Sequence, residues 1–364
     1  MKSCVSDKRM DKKRKYSYIA LAVLLFALLL WVASVLIRWL MAAEAWAELV
    51  RDVDHRMQAP KFTDINSDQI RSPREASDIQ PNDFNIIFLG DSYVHGFILQ
   101  YKLAPPKQLE DKLRESFKRD DINVWNFGWT TSSPILQLRL LKDIGKKYQP
   151  DLVILALDMS DYRDDYFYRH LLQGDGAYGY AHRYPRLTFL YKQVLTELDG
   201  LTDWHKRVWG YSARPGYFVA TQPLEQNRHL FDEIYDSLNQ IHRYCEEELA
   251  VPLVVFIPPR HWQYTDKESP ESWENGSFVT LGPYALENYK YFDEKRPHTP
   301  YPLISLLEDF KNSGVYPTTF EKDSHWNKQG AELAADLIFN HLSSRGYLSS
   351  LGPPATTVLD KPLE

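Results

Sequence analysis

A serine that follows a run of apolar residues, and an aspartate–histidine pair far downstream, are the groups here with the makings of nucleophilic chemistry. In "NIIFLGDSYVHG" (85–96), Ile86, Ile87, Phe88 and Leu89 lead straight into Gly90, Asp91 and Ser92. A serine hydroxyl becomes a nucleophile when a base takes its proton and a third group orients that base. The segment "EKDSHWNKQG" (321–330) supplies such a pair in Asp323 and His325. Residues i and i+2 of an extended segment project to the same side. Asp323 can therefore hold one imidazole nitrogen while the other faces Ser92. Each piece also has a plainer reading: Gly-Asp-Ser is ordinary turn composition, and Asn327 reads as the cap of a helix that follows.

The elements that must position these groups alternate between strand and helix. "IIFL" before Ser92, "INVWNFG" (122–128), "PDLVILAL" (150–157) and "VPLVVFIPP" (251–259) read as buried strands. Between and after them, 105–120, 133–148, 225–249 and 328–344 carry apolar residues at helical spacing, and paired prolines open the first of these helices. Continuous apolar strands alternating with helices predict a parallel sheet covered on both faces. Ligands of such sheets bind at the carboxyl ends of the strands, which is where Ser92 falls.

The two pieces and their order resemble the SGNH (GDSL-type) hydrolase family over about residues 83–345. Gly90-Asp91-Ser92 is similar to its nucleophile block. Asp323-x-His325, followed by Trp326, Asn327 and Gly330, is similar to the base block of its membrane-anchored bacterial branches. The resemblance implies a flavodoxin-like three-layer α/β/α sandwich with a parallel sheet. It also implies a Ser92–His325–Asp323 triad and an oxyanion hole made by the Ser92 N–H, Thr131 and Ser160. Thr131 stands where the family's second block, counted from Asn126, has glycine. Ser160 stands where the third block, aligned on Pro150-Asp151, has asparagine. Asp91, Asn126, Asp161 and His261 are expected to line the substrate site. Membrane-anchored members act on acyl groups of envelope polysaccharides, so the implied substrate is an acylated carbohydrate or other ester, with a membrane acyltransferase as partner. No cofactor is implied.

Two other readings belong to different classes. Thr131 and Ser160 depart from the family pattern, which suits a degenerate fold that binds glycan or scaffolds an envelope complex. Asp158, Asp161, Asp164, Asp165 and His170 suggest a metal-dependent phosphoesterase, because Asp-x-His is also a two-ligand spacing. That option lacks the further ligand blocks after Asp323. His95 follows the nucleophile closely and reads more simply as helix-facing.

Composition bounds the rest. A net charge of −6 gives no reason to expect nucleic acid. Two cysteines, Cys4 and Cys245, exclude a disulfide framework and a cysteine metal site. Residues 1–16 form a basic tail, and an uncharged apolar run through Ile37 predicts a transmembrane anchor over 17–41. The basic flank places the N-terminus in the cytoplasm and the catalytic domain outside the bacterial inner membrane, in the periplasm. A signal peptide cleaved near "AEAWA" (43–47) is the rival. Residues 42–82 are expected to be a helix over 41–57 and then a polar tether. The domain over 83–345 carries aromatic excursions at 166–222 and 260–300, and 346–364 reads as a disordered tail.

Overall fold

Strand β1 (Phe84–Gly90) is buried at every position. It pairs in parallel with β2 (Ile122–Gly128) on one side and β3 (Leu152–Ala156) on the other. β4 (Leu253–Ile257) and β5 (Leu303–Ser305) extend the sheet in parallel, and β5 is followed by α8 (Leu307–Ser313). The order is 2-1-3-4-5, the doubly wound order of flavodoxin-like folds. The computed structural model describes residues 14, 16–37, 40, 64–173, 183–184, 186–187, 223–264, 284–320 and 323–353.

Alternation along the strands divides the core into two layers. Ile86, Phe88, Val124, Ile154 and Phe256 pack with Leu109 and Leu113 of α2 (Pro105–Phe117) and Ile338 and Phe339 of α9 (Lys328–Ser344). The intervening residues, Ile87, Leu89, Val153, Leu155 and Val255, are equally buried on the opposite face. There α3 (Pro134–Ile144) contacts β1, and α4 (Asp161–Gln173) and α5 (Leu224–Tyr244) pack with α3 and with each other. The parallel three-layer fold implied by the sequence is the fold observed.

The chain divides into two compact units, Met1–Val53 with Gly174–Asp203, and Asp54–Gln173 with Trp204–Glu364. In the first, a helix over Tyr16–Ile37 is long and apolar enough to cross a membrane. At 1.5 Å per residue its 22 residues span about 33 Å, against a hydrocarbon core of about 30 Å. The helix expected over 41–57 lies outside the described residues, as does most of the first excursion.

Three expectations change in the second unit. Residues 64–82, expected as a polar tether, dock on the domain. Arg71 is 2% exposed, and Ile70, Ser72 and Ala76 are buried. The segment binds through hydrogen bonds, such as Asn66 to the Tyr148 hydroxyl at 2.9 Å, so it leaves no apolar periodicity to read. The second excursion ends in a core helix, α7 (Glu287–Lys295), whose Tyr291 ring stacks on Phe231 at 5.1 Å. The start of the tail expected from 346 belongs to the domain, because Leu348 and Leu351 are buried; residues 354–364 lie outside the described residues.

Candidate active site

Ser92 opens α1 (Ser92–His95) immediately after β1. Asp91 caps that helix, accepting the Tyr93 N–H at 2.8 Å. The helix lies directly on the backbone of β2. A Cβ on Gly128 would stand 2.2 Å from the His95 nitrogen, so glycine is what permits this approach.

The base arrives from the opposite end of the sequence on a hairpin outside the main sheet, β6 (Thr319–Phe320) with β7 (Asp323–Trp326). Asn327 pins it to α9. Its carbonyl oxygen accepts the Gly330 N–H at 3.0 Å, and its amide donates to Pro317 and Thr319 at 3.0 and 2.8 Å. Gly330 again allows close approach, since a Cβ there would lie 2.1 Å from the Thr318 oxygen.

These two supports bring Ser92 and His325 together. Ser92 Oγ lies 2.8 Å from His325 Nε2, and His325 Nδ1 is hydrogen-bonded to Asp323 Oδ1. The same carboxylate oxygen accepts the His325 backbone N–H at 2.9 Å, fixing both backbone and ring. The tautomer that satisfies both contacts carries its proton on Nδ1 and accepts the serine proton at Nε2. His325 is 22% exposed and Asp323 37% exposed, so solvent reaches the edge of the arrangement.

A brace behind these groups was not foreseen. The Tyr93 hydroxyl donates to the Ser324 carbonyl at 2.6 Å, in the middle of β7. Arg260, just beyond β4, donates to that hydroxyl and lies 4.4 Å above the Tyr93 ring. Its other arm donates to Asp158 at 2.7 Å, and both partners are nearly buried. One tyrosine therefore joins the nucleophile helix, the base strand and the ends of β3 and β4. The sequence signal was an arginine at a strand's carboxyl end.

The oxyanion candidates fare differently from one another. Among the described residues no acceptor takes the Ser92 N–H. Thr131 has φ +59°, the left-handed shape that favours glycine and costs a β-branched residue about 1–2 kcal/mol. The backbone thus adopts a glycine-like shape at the position where the sequence resemblance implies glycine. Its turn is held beside the nucleophile by Gly90, whose carbonyl accepts the Trp129 N–H at 2.9 Å and the Ser132 hydroxyl at 3.2 Å. Ser160 is a correction: its hydroxyl donates to Asp158 at 2.6 Å and its N–H at 2.8 Å to the same oxygen. A hydroxyl has one proton to give, and Arg260 anchors the acceptor that holds it.

Three residues expected to touch substrate lie beneath the site. Asp91 is buried, its carboxyl pushed up to about 8 by burial and then by the charge of Asp158. Asp161 is buried and accepts the Asp158 N–H at 2.9 Å; burial, Asp91 and Asp158 raise it well above the usual carboxylate range. Asn126 bridges the Gly128 N–H at 2.9 Å and the His95 carbonyl at 3.3 Å. Each is hydrogen-bonded to the turn it supports, although Asp161 Oδ1 is buried without a hydrogen-bond partner among the described residues. His261 opens α6 (His261–Tyr264), and its side chain lies outside the described residues. His95 is buried, and burial followed by Arg71 and His325 pushes it down to about 3, which keeps it neutral.

The acidic run has structural partners. Asp165 accepts the Ile135 N–H at 2.7 Å and the Ser237 hydroxyl at 2.6 Å, while His170 faces Glu233 at 3.2 Å. Among the described residues, no three His, Cys, Asp or Glu side chains gather as metal ligands.

No protein-family model matches the sequence, and a comparison with curated proteins found no match. Solved structures similar to the chain include a gut microbial diltiazem-metabolizing enzyme, at 10% identity and TM-score 0.44, covering 74% of this chain. The chain spans about half of that protein, 49% of its length. An acetyl xylan esterase matches at 14% identity and TM-score 0.38, over 71% of this chain and 100% of its own. A psychrotrophic esterase from Pseudoalteromonas sp. matches at 16% identity and TM-score 0.38, over 72% and 98%. In this chain serine, histidine and aspartate meet at the carboxyl ends of the strands of a flavodoxin-like parallel sheet.

Proposed function

We propose that this chain is a membrane-anchored serine esterase or O-acyltransferase of the SGNH type. It acts on acyl esters, acetyl above all, of an envelope glycan. The observation that carries the reading is the hydrogen-bonded chain Ser92–His325–Asp323. Ser92 Oγ attacks the ester carbonyl as His325 Nε2 takes its proton. The carbonyl oxygen gains the negative charge beside the Ser92 and Thr131 N–H groups. Collapse breaks the bond to the alcohol oxygen, which leaves with the proton held by His325, and the acyl group stays on Ser92. Water or a second hydroxyl, deprotonated by His325, then removes it. The apolar helix over Tyr16–Ile37 supports a single-pass anchor, and the basic residues before it support an outward-facing domain. A membrane acyltransferase would supply or receive acyl groups.

Ser92→Ala tests the assignment in an esterase assay on an acetylated glycan. Activity falls by at least about a thousandfold if Ser92 is the nucleophile; equal rates in the variant sink the mechanism.

One observation favours the binding-only reading. Ser160 spends its hydroxyl proton on Asp158, which removes one oxyanion donor, a loss of about a hundredfold to a thousandfold in comparable sites. An enzyme so weakened still acylates Ser92, whereas a binding protein does not.

A further inference from the structure

The loop that follows the nucleophile helix is held with unusual investment. Arg71 is 2% exposed, and its guanidinium donates to the carbonyls of His95, Gly96 and, at 2.7 Å, Leu99. Burying a cation is expensive unless its donors are satisfied. Here Nε and Nη2 also donate to the Asp64 carboxylate at 3.3 and 3.2 Å, and the remaining donors go to the backbone of residues 95–99, at the cation-seeking end of α1. The loop fixed in this way turns two large apolar side chains outward. Phe97 is 42% exposed and Ile98 43% exposed. Beyond the N-terminal helix, few large apolar side chains among the described residues are so open. The Phe97 ring stands 5.7 Å from that of His325.

The position has a chemical meaning. In ester cleavage by this arrangement, His325 delivers its proton to the departing alcohol oxygen, so the alcohol portion sits on the imidazole side of Ser92. A side chain packed against the imidazole borders the alcohol, not the acyl group. We infer that Phe97 and Ile98 form the wall that receives the alcohol portion of the ester, and that this portion is a pyranose ring laid by its C–H face on Phe97. An aromatic face held rigid before the substrate arrives loses little entropy on binding. Its contact with an apolar ring face is of the size of other aromatic contacts. The inference rests on the esterase reading above and specifies the substrate class of that site. The same wall would orient an acceptor sugar, because an entering hydroxyl takes the leaving alcohol's place.

The test compares kcat/KM in the full-length protein for three acetyl or acyl esters. An O-acetylated methyl glucopyranoside and ethyl acetate differ in the alcohol, while ethyl butyrate differs from ethyl acetate in the acyl group. Phe97→Ala reduces the preference for the sugar ester over ethyl acetate by about tenfold, and leaves the acetate-to-butyrate ratio unchanged. Phe97→Tyr retains the wild-type preference. Fluorophosphonate labelling of Ser92, with a probe that carries no sugar, is followed in both variants, and because the preference is a ratio of two esters within one variant, a common change in Ser92 reactivity cancels from it. An unchanged sugar preference in Phe97→Ala, an altered acyl ratio, or lost labelling in that variant each overturns the inference while leaving the esterase reading in place. Absence of labelling in the wild-type protein overturns the reading itself.

Discussion

Ser92, His325 and Asp323 could be read from the sequence because each is a chemically distinctive residue in a short motif. The groups that hold them could not. Tyr93 is one position beyond the nucleophile, yet its role depends on Ser324 and Arg260, 231 and 167 residues away. No local pattern encodes such a meeting. Asp91, Asn126 and Asp161 misled for a related reason: polar residues near a site read as ligands for substrate until their backbone partners are known. The brace makes a sharp prediction. Tyr93→Phe keeps the ring between α1 and β7 but releases the Ser324 carbonyl, so kcat for ester hydrolysis drops by about tenfold or more, with KM little changed. Arg260→Met acts differently. It strands the Asp158 carboxylate, which Arg260 holds below the usual carboxylate range against its burial. Loss of one partner from a buried pair costs about 3–5 kcal/mol, read in a denaturant titration.

Elements were legible in proportion to their apolar regularity. β2 and α9 fall at the expected residues, 122–128 and 328–344. β5, only three residues long, was missed, since a pattern needs more length to show. The segment over 64–82 was misread because it docks through Asn66, Arg71 and Arg74 rather than through an apolar face. Arg74 pairs with Glu110 and lies 4.9 Å over Trp125. The contact between α1 and β2 is the element on which the site depends most. Gly128→Ala forces a methyl group into the His95 backbone, and the helix carrying Ser92 must move. Overpacking of this kind costs about 1–3 kcal/mol, and a displacement of about 1 Å removes about a hundredfold of activity. A crystal structure of the variant would show α1 shifted from β2; an unmoved helix with full activity contradicts this view.

For the molecule as a whole, buried carboxyls set an unusual pH dependence. Burial pushes Asp91 up to about 8, with the charge of Asp158 adding to it; burial also pushes Asp164 to about 7 and Asp165 to about 6, against the lowering charge of Arg163 and the lowering hydrogen bond from Ser237 respectively. Each binds its proton more tightly folded than unfolded, where the ordinary value is 3.8. Stability from these groups is full below about pH 4 and declines as pH rises toward 8. Tm measured across that range therefore falls from mildly acid to neutral pH. Asp91→Asn retains the helix cap and flattens the fall; a Tm that rises over the whole range contradicts the assignment. Asp91, the most strongly shifted of the three, caps the helix that carries Ser92, which ties the stability of the domain to the geometry of its site.

The central claim is that Ser92 is a nucleophile activated by His325. It is tested most directly by exposing the full-length protein to a fluorophosphonate and locating the adduct by peptide mass spectrometry. The account predicts modification of Ser92 in the wild-type protein and a labelling rate reduced by at least about a thousandfold in His325→Ala. An unmodified Ser92, or equal labelling with and without His325, would contradict it.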